Sequence, residues 1–174
     1  MAKPTYAKLK LSADIAPKEL EWGEQKIEIK QYLSIQDKLE FIGDVLNAAA
    51  DDNRFYSQGK VDMFFVINII EKYTNLSITD KQKENSIKLY DEIKASGFYD
   101  NVVALIPEKE IDYLYDLVCD VKEQVYKYEN SAYGILDSVK NDYNNLNLDI
   151  EKLSKDLGNK ENVQFLDEVL TKLG

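Results

Sequence analysis

The sequence contains no histidine, one cysteine and, in Arg54, a single arginine among its 174 residues. Without histidine it lacks the side chain that most often acts as a base near neutral pH and the commonest metal ligand. A lone thiol, Cys119, excludes an internal disulfide framework and a cysteine-based zinc site. With one guanidinium, bidentate phosphate clamps have almost no raw material. No long apolar run is present either. The longest, from Met63 to Ile70, is interrupted by Asn68 and falls far short of a membrane span. The opening residues, Met1-Ala2-Lys3-Pro4-Thr5-Tyr6, lack the apolar core of a signal peptide, so a soluble chain in a reducing compartment is expected.

What is abundant is acid and hydrophobe. Thirty-two carboxylates against 22 basic side chains give a net charge of −10, which repels nucleic acid and anionic membrane surfaces. The lysines are dispersed, so no basic patch offsets this. Positive partners, or partners met through apolar surface, fit better. A hydrophobic content of 44% is enough for a globular core. The length suits one domain, or one domain with an extended arm.

Period-two alternation appears twice near the start, at Lys8-Leu9-Lys10-Leu11 and at Lys26-Ile27-Glu28-Ile29-Lys30. Together they predict a β-ribbon, which as a lone pair of strands must pack on something. From residue 34 the period is helical. Ser34 and Asp37 form a capping-box pattern that opens a helix with Ile35, Leu39, Ile42 and Leu46 on one stripe, widened by Phe41 and Val45. That helix should end near Asp51-Asp52-Asn53. A second helix after Gly59 carries Val61, Phe64, Phe65, Ile69, Ile70 and Tyr73 on more than one side, as a central core helix would. Thr79 and Gln82 open a third, bearing Ile87, Tyr90 and Ile93 and ending at Gly97. A short segment from Phe98 to Ile106 is closed by Pro107.

Pro107 suits the first position of a new helix, with Glu108 and Glu110 complementing its positive end. The stripe that follows is the most regular in the chain: Ile111, Leu114, Val118, Val121, Val125, Tyr128, Ala132, Ile135 and Val139 are spaced by threes and fours. Running from Glu108 to about Asn144, such a helix would be roughly 55 Å long. Gly134 inside it marks a bend or a close contact. The tail reads as a short helix from Leu148 to Leu157, a Gly158-Asn159 break, and a last helix with Val163, Leu166, Val169, Leu170 and Leu173.

Few residues are spaced for chemistry. Gly59-Lys60 lacks the upstream glycine of a phosphate loop, and Val61 replaces its Ser or Thr. Asp142, Asn144 and Asp149 miss the spacing of a calcium loop. Asp112, Asp116 and Asp120 recur every four residues on one helix face, extended by Glu123. They suit a docking stripe for a basic partner, a divalent-cation site or a solvated face. Tyr126 and Tyr133 lie off the apolar seam, as aromatic residues at protein interfaces do. No catalytic, cofactor-binding or metal-ligating residue emerges, and the expectation is that the chain is not an enzyme.

The segments KQYLSIQDKLEFI at 30–42, YTNLSITDKQKE at 73–84, IPEKE at 106–110, SAYGILDSVKNDY at 131–143 and FLDEVLTKLG at 165–174 resemble small acidic proteins of tailed phages and prophages of low-GC Gram-positive bacteria. The resemblance spans most of the chain from residue 26 and brings no catalytic motif. It implies a virion structural or assembly protein. A ribbon followed by helices is also similar to tail assembly chaperones, although the long C-terminal heptad stripe departs from their shorter helices.

The expected fold is therefore mainly α, with an N-terminal β-ribbon or arm over 1–31, a helical body over 32–106, and one long heptad-patterned helix with C-terminal helices over 107–174. The expected function is a non-enzymatic phage structural or assembly component, in capsid, neck or tail, acting through contacts with other phage proteins in an oligomeric assembly. It would use no cofactor, nucleic acid or membrane, and would reside in the virion or in the host cytoplasm during assembly. A tail assembly chaperone not retained in the particle and an acidic anti-defence inhibitor are the alternatives. Leu9, Leu11, Ile27 and Ile29 would carry the ribbon contact, and Val118, Val121, Val125 and Tyr128 the helical seam.

Overall fold

The structure, a computed structural model, describes residues 3–136 apart from positions 4, 13, 52–54 and 133. The chain divides into two compact units, Met1–Val125 and Tyr126–Gly174. The fold is mainly helical, with an N-terminal two-stranded antiparallel sheet. A 3-10 turn at Tyr6–Leu9 is followed by β1 (Lys18–Trp22), β2 (Gln25–Ile29), α1 (Ile35–Ala49) and α2 (Gln58–Tyr73). Then come α3 (Asp80–Glu84), α4 (Ser86–Ala95), α5 (Phe98–Val103) and α6 (Glu108–Glu129).

The ribbon exists, but its first strand is not the one the alternation at Lys8–Leu11 suggests. That segment forms the 3-10 turn, and its side chains are exposed. Alternation makes a strand only where one face can be buried, and Leu9 and Leu11 find nothing to cover them. β1 instead pairs with β2 in a register that places Leu20 opposite Ile27 and Trp22 opposite Gln25. The two-residue connection begins at Gly23, whose φ of 61° suits the tight hairpin turn. Ile27 and Ile29 point into the core, while Trp22 meets Phe98 edge to face at 5.0 Å. β2 is tied to the end of α2, since the Lys30 amide donates to the Tyr73 carbonyl at 2.8 Å and Ile29 bridges Thr74.

α1 begins where expected: the Ser34 hydroxyl accepts from the Asp37 amide at 3.1 Å. Its buried face is rotated from the expected stripe. Phe41, Ile42, Val45, Leu46 and Ala49 are inside, but so is Lys38, while Ile35 and Leu39 face outward. α2 is buried nearly all round, from Val61 through Phe65 and Ile69 to Tyr73, and is the central helix. Its Asn68 amide is satisfied by the Phe64 carbonyl at 2.9 Å. The third helix expected from Thr79 to Gly97 is two. Asn85 interrupts it with a non-helical backbone, and its side chain caps α4 by accepting from the Lys88 amide. Gly97, at φ 72°, ends α4 in the left-handed conformation that glycine tolerates.

The rotation of α1 follows from the most buried charge pair of the core. Lys38 Nζ donates to Glu110 Oε2 at 2.8 Å, and both side chains are nearly inaccessible. Glu110 Oε1 accepts from the Leu33 amide at 2.9 Å and from the Tyr73 hydroxyl at 3.0 Å. The carboxylate stands in the first turn of α6, where the helix dipole favours it. The Lys38 ammonium also lies 4.1 Å from the centre of the Tyr32 ring. Every donor and acceptor in the cluster is thereby engaged, the condition a buried ion pair requires. Burial, and then the Glu110 charge, push the Tyr73 phenol pKa well above its ordinary value.

α6 is the long helix, of 22 residues. It does not continue to Asn144: the helix stops at Glu129. In the second unit, the Asn130 side chain donates to the Tyr126 carbonyl at 2.8 Å and the Ser131 hydroxyl to the Tyr128 carbonyl at 2.6 Å. The Tyr126 carbonyl also keeps its helical bond from the Asn130 amide, but the Tyr128 carbonyl is taken by the Ser131 amide and hydroxyl instead of the amide four residues on. Helical backbone resumes at 132 and again over 134–136, and there Gly134 is a steric necessity. A Cβ on it would collide with the Tyr128 carbonyl oxygen and lie 2.9 Å from Glu129 Cα. The expected helices beyond residue 136, with Val139, the calcium-like Asp142, Asn144 and Asp149, and off-seam Tyr133, lie outside the described residues.

Two expectations test this account. Glu110→Ala deprives three donors of their acceptor, whereas Lys38→Ala leaves the carboxylate two of its partners. Each should lower stability by about 3–5 kcal/mol in urea titration, Glu110→Ala by more. The double variant should lose less than the sum of the two; additive losses would contradict a coupled cluster. Above pH 10.0, the ordinary tyrosine value, folded Tyr73 keeps its proton while unfolded Tyr73 loses it. The folded state then binds more protons, so stability falls as pH rises, by about 1.4 kcal/mol per unit for one such group. Tyr73→Phe should flatten that alkaline slope, and an unchanged slope would contradict the burial of the phenol.

Candidate functional site

The first unit holds an open cleft of about 550 Å³. That is within the range of small-ligand sites. Four helices build it. α2 contributes Asp62, Phe65 and Val66; α4 contributes Tyr90 and Lys94; α5 contributes Tyr99; α6 contributes Ile111, Asp112, Tyr115 and Asp116. Its floor is core: Phe65 is buried and stacks edge to face on Phe41 at 5.3 Å and on Tyr115 at 5.2 Å. That arrangement fixes the Tyr115 ring from below.

The polar groups of the wall fall into two sets. Asp62 is engaged: its Oδ1 accepts from Gln58 Nε2 at 2.9 Å and from the Tyr115 hydroxyl at 3.2 Å. Gln58 is in turn held by the Lys122 ammonium. Lys94 is engaged too. Its ammonium lies 4.3 Å from the centre of the Tyr99 ring and 3.3 Å from Asp100 Oδ1. Asp112 and Asp116, one helical turn apart on α6, form no hydrogen bond or ion pair among the described residues. Burial raises the pKa of Tyr99 and Tyr115, aided by Asp100 for the first and Asp62 for the second. The Tyr115 proton is already given to Asp62 in that hydrogen bond.

The acidic stripe read from the sequence is divided by this geometry. Asp112 and Asp116 line the cleft, whereas Asp120 lies beyond it. Among the described residues no group of three carboxylate or thiol side chains converges as a metal site would. Gly59-Lys60 sits in the exposed first turn of α2. Asp51 closes a turn, accepting from the Phe55 amide at 2.7 Å. The cleft residues on α2, α4 and α5 were missed because each looks ordinary on its own helix. Of the cleft residues only Asp112 and Asp116 carried a signal, as part of a charge row.

The residues expected to make contacts are placed in three environments. Ile27, Ile29 and Val118 are buried in the chain's own core. Val121 packs partly against that core and Val125 is half-buried. Leu9 and Leu11 are exposed on the arm, and Tyr128, in the second unit, is exposed as well. The arm is exposed throughout its described residues from 3 to 17. It carries Tyr6 at 76%, Leu9 at 56%, Leu11 at 65% and Ile15 at 52% exposure, a density of bare large hydrophobes that folded surfaces seldom leave in water.

Among the described residues no helix is long and apolar enough to cross a membrane. No protein-family model, curated protein or solved structure matches the chain.

Because the first half of the α6 seam is covered from within, Val121→Asp should lower stability by about 1–3 kcal/mol without changing the mass measured by light scattering. A smaller mass at unchanged melting temperature would instead place the seam between molecules.

Proposed function

We propose that this chain is a non-enzymatic structural or assembly component of a tailed-phage particle, working through protein–protein contacts in the virion or in the host cytoplasm during assembly. The observation that carries the reading is the N-terminal arm, exposed throughout its described residues, ahead of a helical body that has its own buried core. Tyr6, Leu9, Leu11 and Ile15 are each more than half exposed, and an arm of this kind gains its burial on a neighbour. β1 offers a second means of attachment. The sheet is two-stranded, so the far edge of β1 has no strand partner among the described residues. The likeness of the segments at 30–42, 73–84 and 106–110 to small acidic phage proteins supports the same reading. The net charge of −10 favours partners with basic or apolar surfaces and sets association rate more than affinity.

The part of the N-terminal segment that is exposed runs to Pro17, whereas Ile27 and Ile29 are core residues. Deleting residues 1–16 should leave the helical circular-dichroism signal and the melting temperature within a few degrees of the full chain (~1 kcal/mol or less for exposed residues). It should abolish co-sedimentation with particles assembled in infected cells. Equal incorporation of the truncated chain would overturn the proposal. Mass spectrometry of purified particles separates the two assembly roles: a structural part is present at fixed copy number, and a chaperone is absent while bound to unassembled tail protein.

A further inference from the structure

We infer that the cleft between α2, α4, α5 and α6 is a binding site for an alkylammonium cation, drawn in by Asp112 and Asp116 and seated among Tyr90, Tyr99 and Tyr115. The inference stands apart from the assembly reading, since it rests on the body and not on the arm.

Four observations lead to it. The wall holds three carboxylates and one ammonium, so the cleft has a formal excess of two negative charges and disfavours anions. Asp62 is already committed to Gln58 and Tyr115, so the charge left to a ligand is that of Asp112 and Asp116, which have no partner among the described residues. Three tyrosines line a hollow of about 550 Å³, and aromatic rings attract organic cations by their quadrupole while covering a methylene chain. Finally, the molecule shows what this wall accepts: the Lys94 ammonium rests 4.3 Å from the centre of the Tyr99 ring. A primary amine on a flexible alkyl chain is thus already seated at one side, and the unpaired carboxylates stand on α6 at the other.

A bare divalent ion is the poorer candidate, because the carboxylates do not converge as a metal site requires. A guanidinium would find no bidentate carboxylate prepared for it, as Asp112 and Asp116 lie on successive turns of one helix. An alkylammonium needs only a carboxylate near its head and apolar surface along its stem. Its source is either a lysine side chain presented by a protein or a free aliphatic diamine.

Titration of the full-length chain, followed by amide chemical shifts, distinguishes these. The probes are N-acetyl-lysine methylamide, 1,5-diaminopentane and, as the neutral control, N-acetyl-norleucine methylamide. Shifts confined to the cleft with at least one amine, and none with norleucine, are expected. A stronger response to the lysine derivative assigns the source as a protein, and a stronger response to the diamine as a free polyamine. Asp112→Asn and Asp116→Asn, both exposed and without packing roles, should each weaken the better probe by about two- to fivefold. Lys94→Gln, which removes the cation already in the wall, should tighten it. Raising salt from about 50 to 300 mM should weaken it further, as charge attraction is screened. Absence of amine-specific shifts, or affinity unaffected by both aspartate substitutions in chains that keep their circular-dichroism spectrum, would overturn the assignment.

Discussion

The Glu110 carboxylate accepts hydrogen bonds from the Lys38 ammonium, the Leu33 amide and the Tyr73 hydroxyl. Those donors belong to the second turn of α1, the link that precedes it, and the last turn of α2. One side chain in the first turn of α6 therefore fixes where three other segments meet. A buried carboxylate is tolerable only with full partnership, so the geometry around it is strongly specified. This explains why α1 turns a lysine inward and leaves Ile35 and Leu39 in water. The ion pair outranks two leucine-like contacts because an uncompensated charge in the core costs more than their burial would gain.

Once α6 is held at its first turn, the rest of the site geometry follows. Leu114 and Val118 enter the core on one side of the helix. Asp112, Tyr115 and Asp116 then fall on the side that faces the hollow bounded by α4 and α5. The edge-to-face chain from Phe41 through Phe65 to Tyr115 carries the core packing out to the cleft wall. The cleft thus follows from the same placement of α6 that satisfies Glu110, and Tyr115 in its wall is packed on the core through Phe65. The arm obeys the opposite logic. Its large hydrophobes are each more than half exposed and none belongs to the buried core.

The sequence alone carried the local structure well. Ser34 and Asp37, Gly97 and Pro107 mark real element boundaries, because caps and backbone restrictions act within a few residues. The helical period of α2 and the apolar stripe at Ile111, Leu114, Val118 and Val121 were also legible, since burial repeats along one element. Where the pattern went astray, a competitor at short range was the cause. Lys8–Leu11 alternates without a face to cover. Asn85 caps a new helix in the middle of an expected one. Ser131 takes the Tyr128 carbonyl that a helix running through it would have used, and Gly134 fits a contact that no other residue could make.

Composition by itself determined that this is an acidic, histidine-free chain with enough hydrophobic residues for a core. Those properties are sums over residues and need no geometry. Only the tertiary structure decided that Lys38 belongs inside, that Ile27 and Ile29 serve the chain's own core while Leu9 and Leu11 do not, and that Asp112 and Asp116 share a cleft with tyrosines from other helices. The reason is physical: side chains far apart in sequence acquire a common environment only when packing has set the distances between helices, and no local pattern contains those distances.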